Sequence, residues 1–367
     1  MRNILCVCNT YYQLFMILQM KLKLWNNDSV TLIISDHIKN SKSIVDNIKL
    51  LSIFKRVIYI ETFKIDYKKD TSLNLIREIL EASIGHSKCI KEIFLEDEIY
   101  DEFFYYNYNV STCLIFNILI KQNNKMICSR YEEGLLGYMS LNNLKMSNTG
   151  RLKYISWIRK IMNKKQLKNV TENYYCMYPT LYQGKYKVKK IPKIDIGDEY
   201  FKCLIRKIFN LEKKNIYCKQ KYIFFTSVCD FEGGEPIGEL SLIEKIAKLV
   251  GKDNLLIKMH PRDRKNDLKK YGYIVDRNSN LPWEAICINY NFNDKVFLTS
   301  VSGSLLFAAT ALSTGPKIYY LYKMCNTVNN ITAKNSIKSI EECLNSSSKR
   351  MIFNNICIVD KLEDILN

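Results

Sequence analysis

No apolar run in this chain approaches the roughly 18 residues needed to cross a bilayer, and Met1 to Val7 lead straight into a strand-like pattern. Neither a signal peptide nor a transmembrane anchor is therefore expected. Among the 13 cysteines no pair has C-x-x-C spacing, and Cys6 and Cys8 stand two apart on an apolar run. This excludes the common zinc and redox motifs and leaves the thiols as small core residues of a reducing cytoplasm. A P-loop, a G-x-G-x-x-G, a G-x-S-x-G and a D-x-D carboxylate pair are also missing. ATP hydrolysis, esterase chemistry and metal-dependent sugar transfer lose their usual signatures with them.

What is present is size, apolar content and positive charge. A chain of 367 residues that is 47% hydrophobic has material for two cores. The excess of 55 basic over 37 acidic residues, a formal +18, favours an anionic partner: nucleic acid, anionic lipid or a phosphorylated substrate. Lysine dominates arginine, and Asn, Ile and Tyr are abundant, which is also the bias of an AT-rich genome. Charge alone does not choose among these.

The first half alternates β-branched runs (Ile4 to Cys8, Val30 to Ser35, Val57 to Ile60, Phe103 to Tyr106, Met126 to Cys128) with helical patterns, as βαβ units do. From Tyr222 the pattern restarts: strands Tyr222 to Thr226, Leu255 to Lys258, Val296 to Thr299 and Lys317 to Leu321, and helices Leu240 to Val250 and Leu305 to Leu312. Between them Pro179, Gly184, a lysine-rich run, Pro192 and Gly197 have the composition of a hinge. The expected architecture is α/β: Rossmann-like domains over 1–176 and 222–367, joined by a linker over 177–221, with parallel sheets facing a central cleft.

Ligands of open α/β sheets bind beyond the carboxyl ends of the strands, so the loops there carry the candidates. After the first strand comes Asn9-Thr10-Tyr11-Tyr12-Gln13; after Met126 to Cys128 comes Tyr131-Glu132-Glu133-Gly134. Adjacent acids in a cleft acquire raised pKa values suited to a general base, with a solvated turn as the competing reading. A second acidic loop, Asp230, Glu232 and Glu235, follows Tyr222 to Thr226, with Gly233-Gly234 expected to give it flexibility. Either loop can supply a base, Glu132 being favoured over Asp230.

His260 sits between a strand and Pro261, which cannot continue a ladder, and Arg262 beside it has the forked donors that suit phosphate. Ser302-Gly303-Ser304 opens a helix after a strand, a place for an anion, and Gly303 is expected to allow close approach of the backbone. Glu284, in Leu281-Pro282-Trp283-Glu284, is placed to accept ribose hydroxyls or to start a helix. The segment Arg151 to Lys168 carries Leu152, Ile155, Ile158, Ile161 and Met162 at helical spacing among seven basic residues. Such a helix suits an anionic membrane, or packs on the first domain with a solvated basic face.

Taken in order, Thr10-Tyr11-Tyr12-Gln13, Glu132-Glu133-Gly134, His260-Pro261 and Ser302-Gly303-Ser304 resemble the motifs of bacterial sialyltransferases, especially the family-52 glycosyltransferases of lipooligosaccharide and capsule synthesis. Pro282-Trp283-Glu284 is similar to the ribose-binding glutamate motif of related enzymes. The resemblance implies a GT-B fold, a CMP-sialic acid donor on the second domain, a glycan acceptor on the first, and no metal or other cofactor. It further implies that Glu132 or Asp230 is the base, that His260 assists the departing CMP, and that Thr10, Gln13, Glu133, Gly134, Pro261, Arg262, Glu284, Ser302, Gly303 and Ser304 bind substrate. The rivals are a hexose or Kdo-like donor on the same fold, and a non-catalytic basic module on membrane or nucleic acid. The latter lacks a nucleic-acid recognition motif. A cytoplasmic protein, peripheral on the inner membrane face, with a homodimer left open, completes the expectation.

Overall fold

The computed structural model describes residues 1–67, 73–85, 98–134, 138, 150–211, 216–260, 262–263, 267–277, 281–344 and 354–366. Pro261 therefore lies outside the described residues. The chain divides into two compact units, Met1–Pro192 and Lys193–Asn367.

The first unit is a seven-stranded sheet ordered β3-β2-β1-β4-β5-β6-β7, every neighbouring pair parallel. Its strands are β1 (Asn3–Cys8), β2 (Ser29–Ser35), β3 (Arg56–Ile60), β4 (Glu102–Tyr105), β5 (Ile127–Tyr131), β6 (Thr171–Cys176) and β7 (Lys187–Lys190). β1 is apolar and buried almost end to end, as a strand covered on both faces must be. Helix α1 (Tyr11–Lys23) starts where the Thr10 hydroxyl accepts the Gln13 amide, and ends on Lys21 and Lys23, which suit the negative end of its dipole. Further helices are α2 (Ser41–Leu50), α3 (Phe63–Tyr67), α4 (Leu73–Ile84), α5 (Val110–Gln122), α6 (Gly150–Ile161) and α7 (Leu167–Val170). Leu114, Phe116 and Leu119 of α5 and Leu152 and Ile155 of α6 close the core against Leu5, Phe103 and Cys128.

The second unit repeats the plan in six parallel strands ordered β10-β9-β8-β11-β12-β13: β8 (Tyr222–Phe225), β9 (Leu255–Lys258), β10 (Ile274–Asp276), β11 (Val296–Thr299), β12 (Lys317–Tyr320) and β13 (Ile356–Ile358). Its helices are α8 (Glu199–Phe209), α9 (Glu239–Val250), α10 (Trp283–Asn289), α11 (Leu305–Thr310) and α12 (Ile331–Leu344). In both sheets the strand order reverses beside the first strand, between β1 and β4 and between β8 and β11. Those switch points open the crevice in which such sheets bind ligands.

The stretch 177–221, expected as a linker, holds regular structure. β7 pairs with β6 along Asn173 to Cys176, and its lysines sit at the sheet edge, where charge discourages pairing with another chain. α8, capped by Asp198, buries Phe201, Leu204, Ile205, Ile208 and Phe209, and packs on α10. Its two prolines and two glycines punctuate short elements rather than a flexible tether.

Candidate active site

In the first unit the switch point is filled by a closed polar network. The Gln13 amide donates to Asn107 Oδ1 and to Glu133 Oε2, both at 2.7 Å, while its oxygen accepts the Asn9 backbone N–H at 2.7 Å. Ser35 Oγ donates to Asn9 Oδ1 at 2.7 Å. Thr10, Gln13 and Glu133 thus come together, and Asn9, Ser35 and Asn107 join them from the ends of β1, β2 and β4. Ser35 and Asn107 escaped the sequence reading because isolated Ser and Asn residues carry no motif.

The two acids differ. Tyr131 is the last residue of β5 and not part of the loop, as the early end given to that strand implied. The side chain of Glu132, the next residue, is 1% exposed. Tyr12 donates to its Oε1 at 2.7 Å, the Met177 N–H donates to its Oε2 at 2.8 Å, and the Tyr138 hydroxyl also donates to Oε2. Burial pushes its carboxyl above the ordinary range, opposed by those three donors. Glu133 is only partly buried. Burial raises its carboxyl too, and Thr10, Gln13 and the Arg130 charge pull against it. Gly134 has φ +62, the left-handed turn that ends the motif and that suits glycine.

In the second unit His260 follows β9. Its backbone N–H donates to Thr226 Oγ1 at 2.7 Å, and its Nδ1 accepts the Arg262 N–H at 3.1 Å. That bond assigns the neutral tautomer with its proton on Nε2. Burial and the Arg262 charge lower its pKa from the usual value, which favours the neutral ring. The Arg262 guanidinium is exposed and pairs with Glu232 at 3.0 Å.

At the end of β11, Thr299 Oγ1 donates to the Phe225 carbonyl and accepts the Ser302 N–H, each at 2.9 Å, tying the serine loop to β8. Ser302 and Ser304 hydroxyls lie 2.8 Å apart in one hydrogen bond. One expectation changes here. α11 has six residues and Ser304 makes no side-chain cap, so the helix end is a poor anion site by itself. A Cβ on Gly303 would meet nothing within 4 Å, so the space beside its backbone is open.

The second acidic loop is also more structural than expected. Asp230 accepts the N–H groups of Ile237 (2.8 Å), Gly238 (3.1 Å) and Glu239 (3.1 Å), fastening the start of α9. Gly233 and Gly234 are not flexible joints. They have φ +88 and +128, and a Cβ on Gly234 would stand 2.2 Å from the Asn329 carbonyl oxygen. Glu284 lies in the first turn of α10, and Trp283 before it packs on Tyr217, Phe225, Phe292 and Phe297 as a core residue.

Glu239, at the start of α9, was missed. Both its oxygens accept the Ser227 N–H at 3.0 Å, and Ser300 Oγ donates to it, so one buried carboxylate joins the loops after β8 and β11. Burial raises its pKa to about 7. From sequence, a glutamate opening an amphipathic helix reads only as a dipole partner.

Across 99% of both chains the fold is similar to that of an alpha/beta-galactoside alpha-2,3-sialyltransferase from Photobacterium phosphoreum, at 13% identity and a TM-score of 0.53. Looser likenesses include MurG of Acinetobacter baumannii (10% identity, 100% of this chain and 89% of that one, TM-score 0.42) and the calicheamicin glycosyltransferase CalG4 (10%, 96% and 94%, TM-score 0.47). No curated protein sequence matches. The fold is of the GT-B kind, two parallel α/β units with candidate groups at their strand ends. The family model for alpha-2,8-polysialyltransferases matches residues 4–322, and the chain belongs to that family. It is a sialyltransferase of bacterial type, as the ordered motifs had implied.

Proposed function

We propose that the protein transfers sialic acid from CMP-sialic acid to a glycan of a capsular polysaccharide or lipooligosaccharide, by one inverting displacement and without a metal. The acceptor hydroxyl attacks the anomeric carbon and loses its proton to a carboxylate as the bond to the CMP phosphate breaks. The observation that carries the reading is the His260 ring, whose Nδ1 is occupied by Arg262 N–H and whose Nε2 holds the proton. A neutral donor of this kind stabilises charge growing on a departing phosphate. Ser302, Ser304 and, on leaving Glu232, Arg262 add further donors, and Glu284 takes the ribose.

Glu133 is the base this geometry favours. A base must come within about 3 Å of the acceptor hydroxyl, and Glu132 has both oxygens occupied and no exposed surface to speak of. Asp230 already holds three backbone amides. Glu132 and Asp230 then serve to shape their loops.

The family's description favours a sialic acid terminus as acceptor over a simple galactoside. The protein is proposed to work as a peripheral protein on the inner membrane face. Incubation with CMP-sialic acid plus galactosides or sialosides, followed by mass spectrometry, tests donor and acceptor together, with sialosides expected to be extended. Products only from another nucleotide sugar would overturn the donor, and loss of activity in EDTA with rescue by magnesium would overturn metal independence.

A further inference from the structure

Helix α6 is apolar on two sides. Leu152 and Ile155 face the core of the first unit. Tyr154, Trp157 and Ile161, at i, i+3 and i+7, lie on another face and are 61%, 62% and 64% exposed; Met162, just beyond the helix, is 41% exposed. The stripe read from the sequence is therefore split, and its outer half is led by Trp157 and Tyr154. Helix α4, packed beside α6, adds exposed Ile76 and Leu80.

The seven basic residues of the segment divide as well. Arg151 is buried and donates to the carbonyls of Ile65 and Asp66 at 2.6 and 2.8 Å; Arg159 is buried and donates to those of Ser83 and Lys165. Lys153, Lys160, Lys164, Lys165 and Lys168 are exposed, and no acidic residue occurs between Gly150 and Val170. The arginines fasten the helix to the unit; Lys165 donates to the Asn124 carbonyl, and Lys153, Lys160, Lys164 and Lys168 stand exposed on the helix and the segment that follows it.

We propose that this outer face of α6 docks on an anionic lipid bilayer, the helix lying flat with Trp157, Tyr154 and Ile161 at the headgroup boundary. Trp and Tyr are the side chains favoured at that depth, and lysine stems lie along apolar surface while their ammonium groups reach lipid phosphates. Charge decides for lipid over an apolar protein groove: a protein partner would have to bring acids to every lysine, whereas an anionic surface supplies them everywhere. No helix among the described residues is long and apolar enough to cross a membrane, so the contact is peripheral. The inference rests on the peripheral-membrane reading of the function and assigns the surface to it.

The test is flotation of the full-length protein with vesicles of phosphatidylcholine alone or mixed with an equal part of phosphatidylglycerol, read with tryptophan emission. Trp25 and Trp283 are buried, at 1% and 8% exposure, so a blue shift on binding reports Trp157. Binding is expected to the mixed vesicles only, with a blue shift. Trp157→Ser/Ile161→Ser and Lys160→Glu/Lys164→Glu should each weaken it about tenfold or more, the scale of lost interfacial anchors and headgroup attraction. Equal binding to both vesicle types, no binding, or wild-type binding by both double variants would overturn the proposal. So would a wild-type dimer that the Trp157 variant dissociates, since a second copy would then cover the face. Transfer to a soluble acceptor should be unchanged in these variants. A protein that binds vesicles but transfers nothing would sink the proposed reaction and leave the surface standing.

Discussion

The strand ends of the two sheets are built on different plans. In the first unit the polar groups satisfy one another: Gln13 spends both ends on Asn9, Asn107 and Glu133, and Glu132 is enclosed by Tyr12, Tyr138 and the Met177 amide. In the second unit buried groups hold the loops from behind. Glu239 joins Ser227 to Ser300, and Thr299 ties Ser302 to β8, while the His260 ring keeps its Nε2 proton to offer. The difference fits the two tasks proposed for them. A base gains strength when its carboxylate is desolvated and oriented, whereas a departing phosphate needs donors that are not already committed.

Removing the donor from the second site should have the largest effect. His260→Ala is expected to lower turnover by about 10² to 10⁴-fold with the melting temperature unchanged, and near wild-type turnover in a folded variant would take His260 out of the mechanism. The pH profile sharpens the point. With its pKa lowered, the ring is expected to act in its neutral form, so the rate should not fall as pH rises above 7. An alkaline limb close to the ordinary histidine pKa would mean that the imidazolium is the active species.

The acid pair comes next. Glu133→Gln should keep CMP affinity and lose about 10²-fold or more in transfer. Because the Glu133 carboxyl is raised and the base must be ionised, wild-type kcat/KM should fall on the acid side at a pH above the usual carboxylate range. Glu132→Gln should instead reach the fold, costing about 1 to 3 kcal/mol through mismatched buried partners. If Glu132→Gln melts normally, binds CMP and transfers nothing, the base is Glu132 and the Tyr138 contact opens in the working enzyme.

Smaller effects separate the glycines. Gly234→Ala, at φ +128 against the Asn329 carbonyl, should cost about 1 to 3 kcal/mol in thermal denaturation, whereas Gly303→Ala, in open space, should cost nothing measurable. Equal melting temperatures would mean that the Gly233-Gly234 turn is loose after all.

The last expected effect is a pH dependence set by Glu239. Its folded pKa of about 7 exceeds the ordinary 4.5, so the native state prefers the protonated form. Its contribution to stability is full below about pH 4.5, declines as pH rises to about 7 and is level above, a swing on the order of 3 kcal/mol at most. Glu239→Gln should flatten the melting temperature over that window. An unchanged pH slope would place the titration elsewhere.

What the sequence determined by itself was the repeated strand and helix pattern, the strand-end position of each motif and the order that marks a sialyltransferase. Buried parallel strands write themselves as β-branched runs, and a loop that must follow a strand inherits its address from that run. β6, β7, β10 and β13 and helix α8 were not legible, because Thr171 to Cys176 is polar and aromatic, and the lysines of β7 resemble a linker. Only the tertiary structure decided which of two adjacent glutamates is enclosed, that Asp230 and Glu239 hold loops, that Gly234 is packed and Gly303 is not, and that the arginines of α6 are buried while its lysines meet solvent. Each of those depends on neighbours brought from distant parts of the chain. Tyr12 meets Glu132, Ser300 meets Glu239 and Ile65 meets Arg151 only after the sheets have closed, and burial changes what a carboxylate or a guanidinium can do.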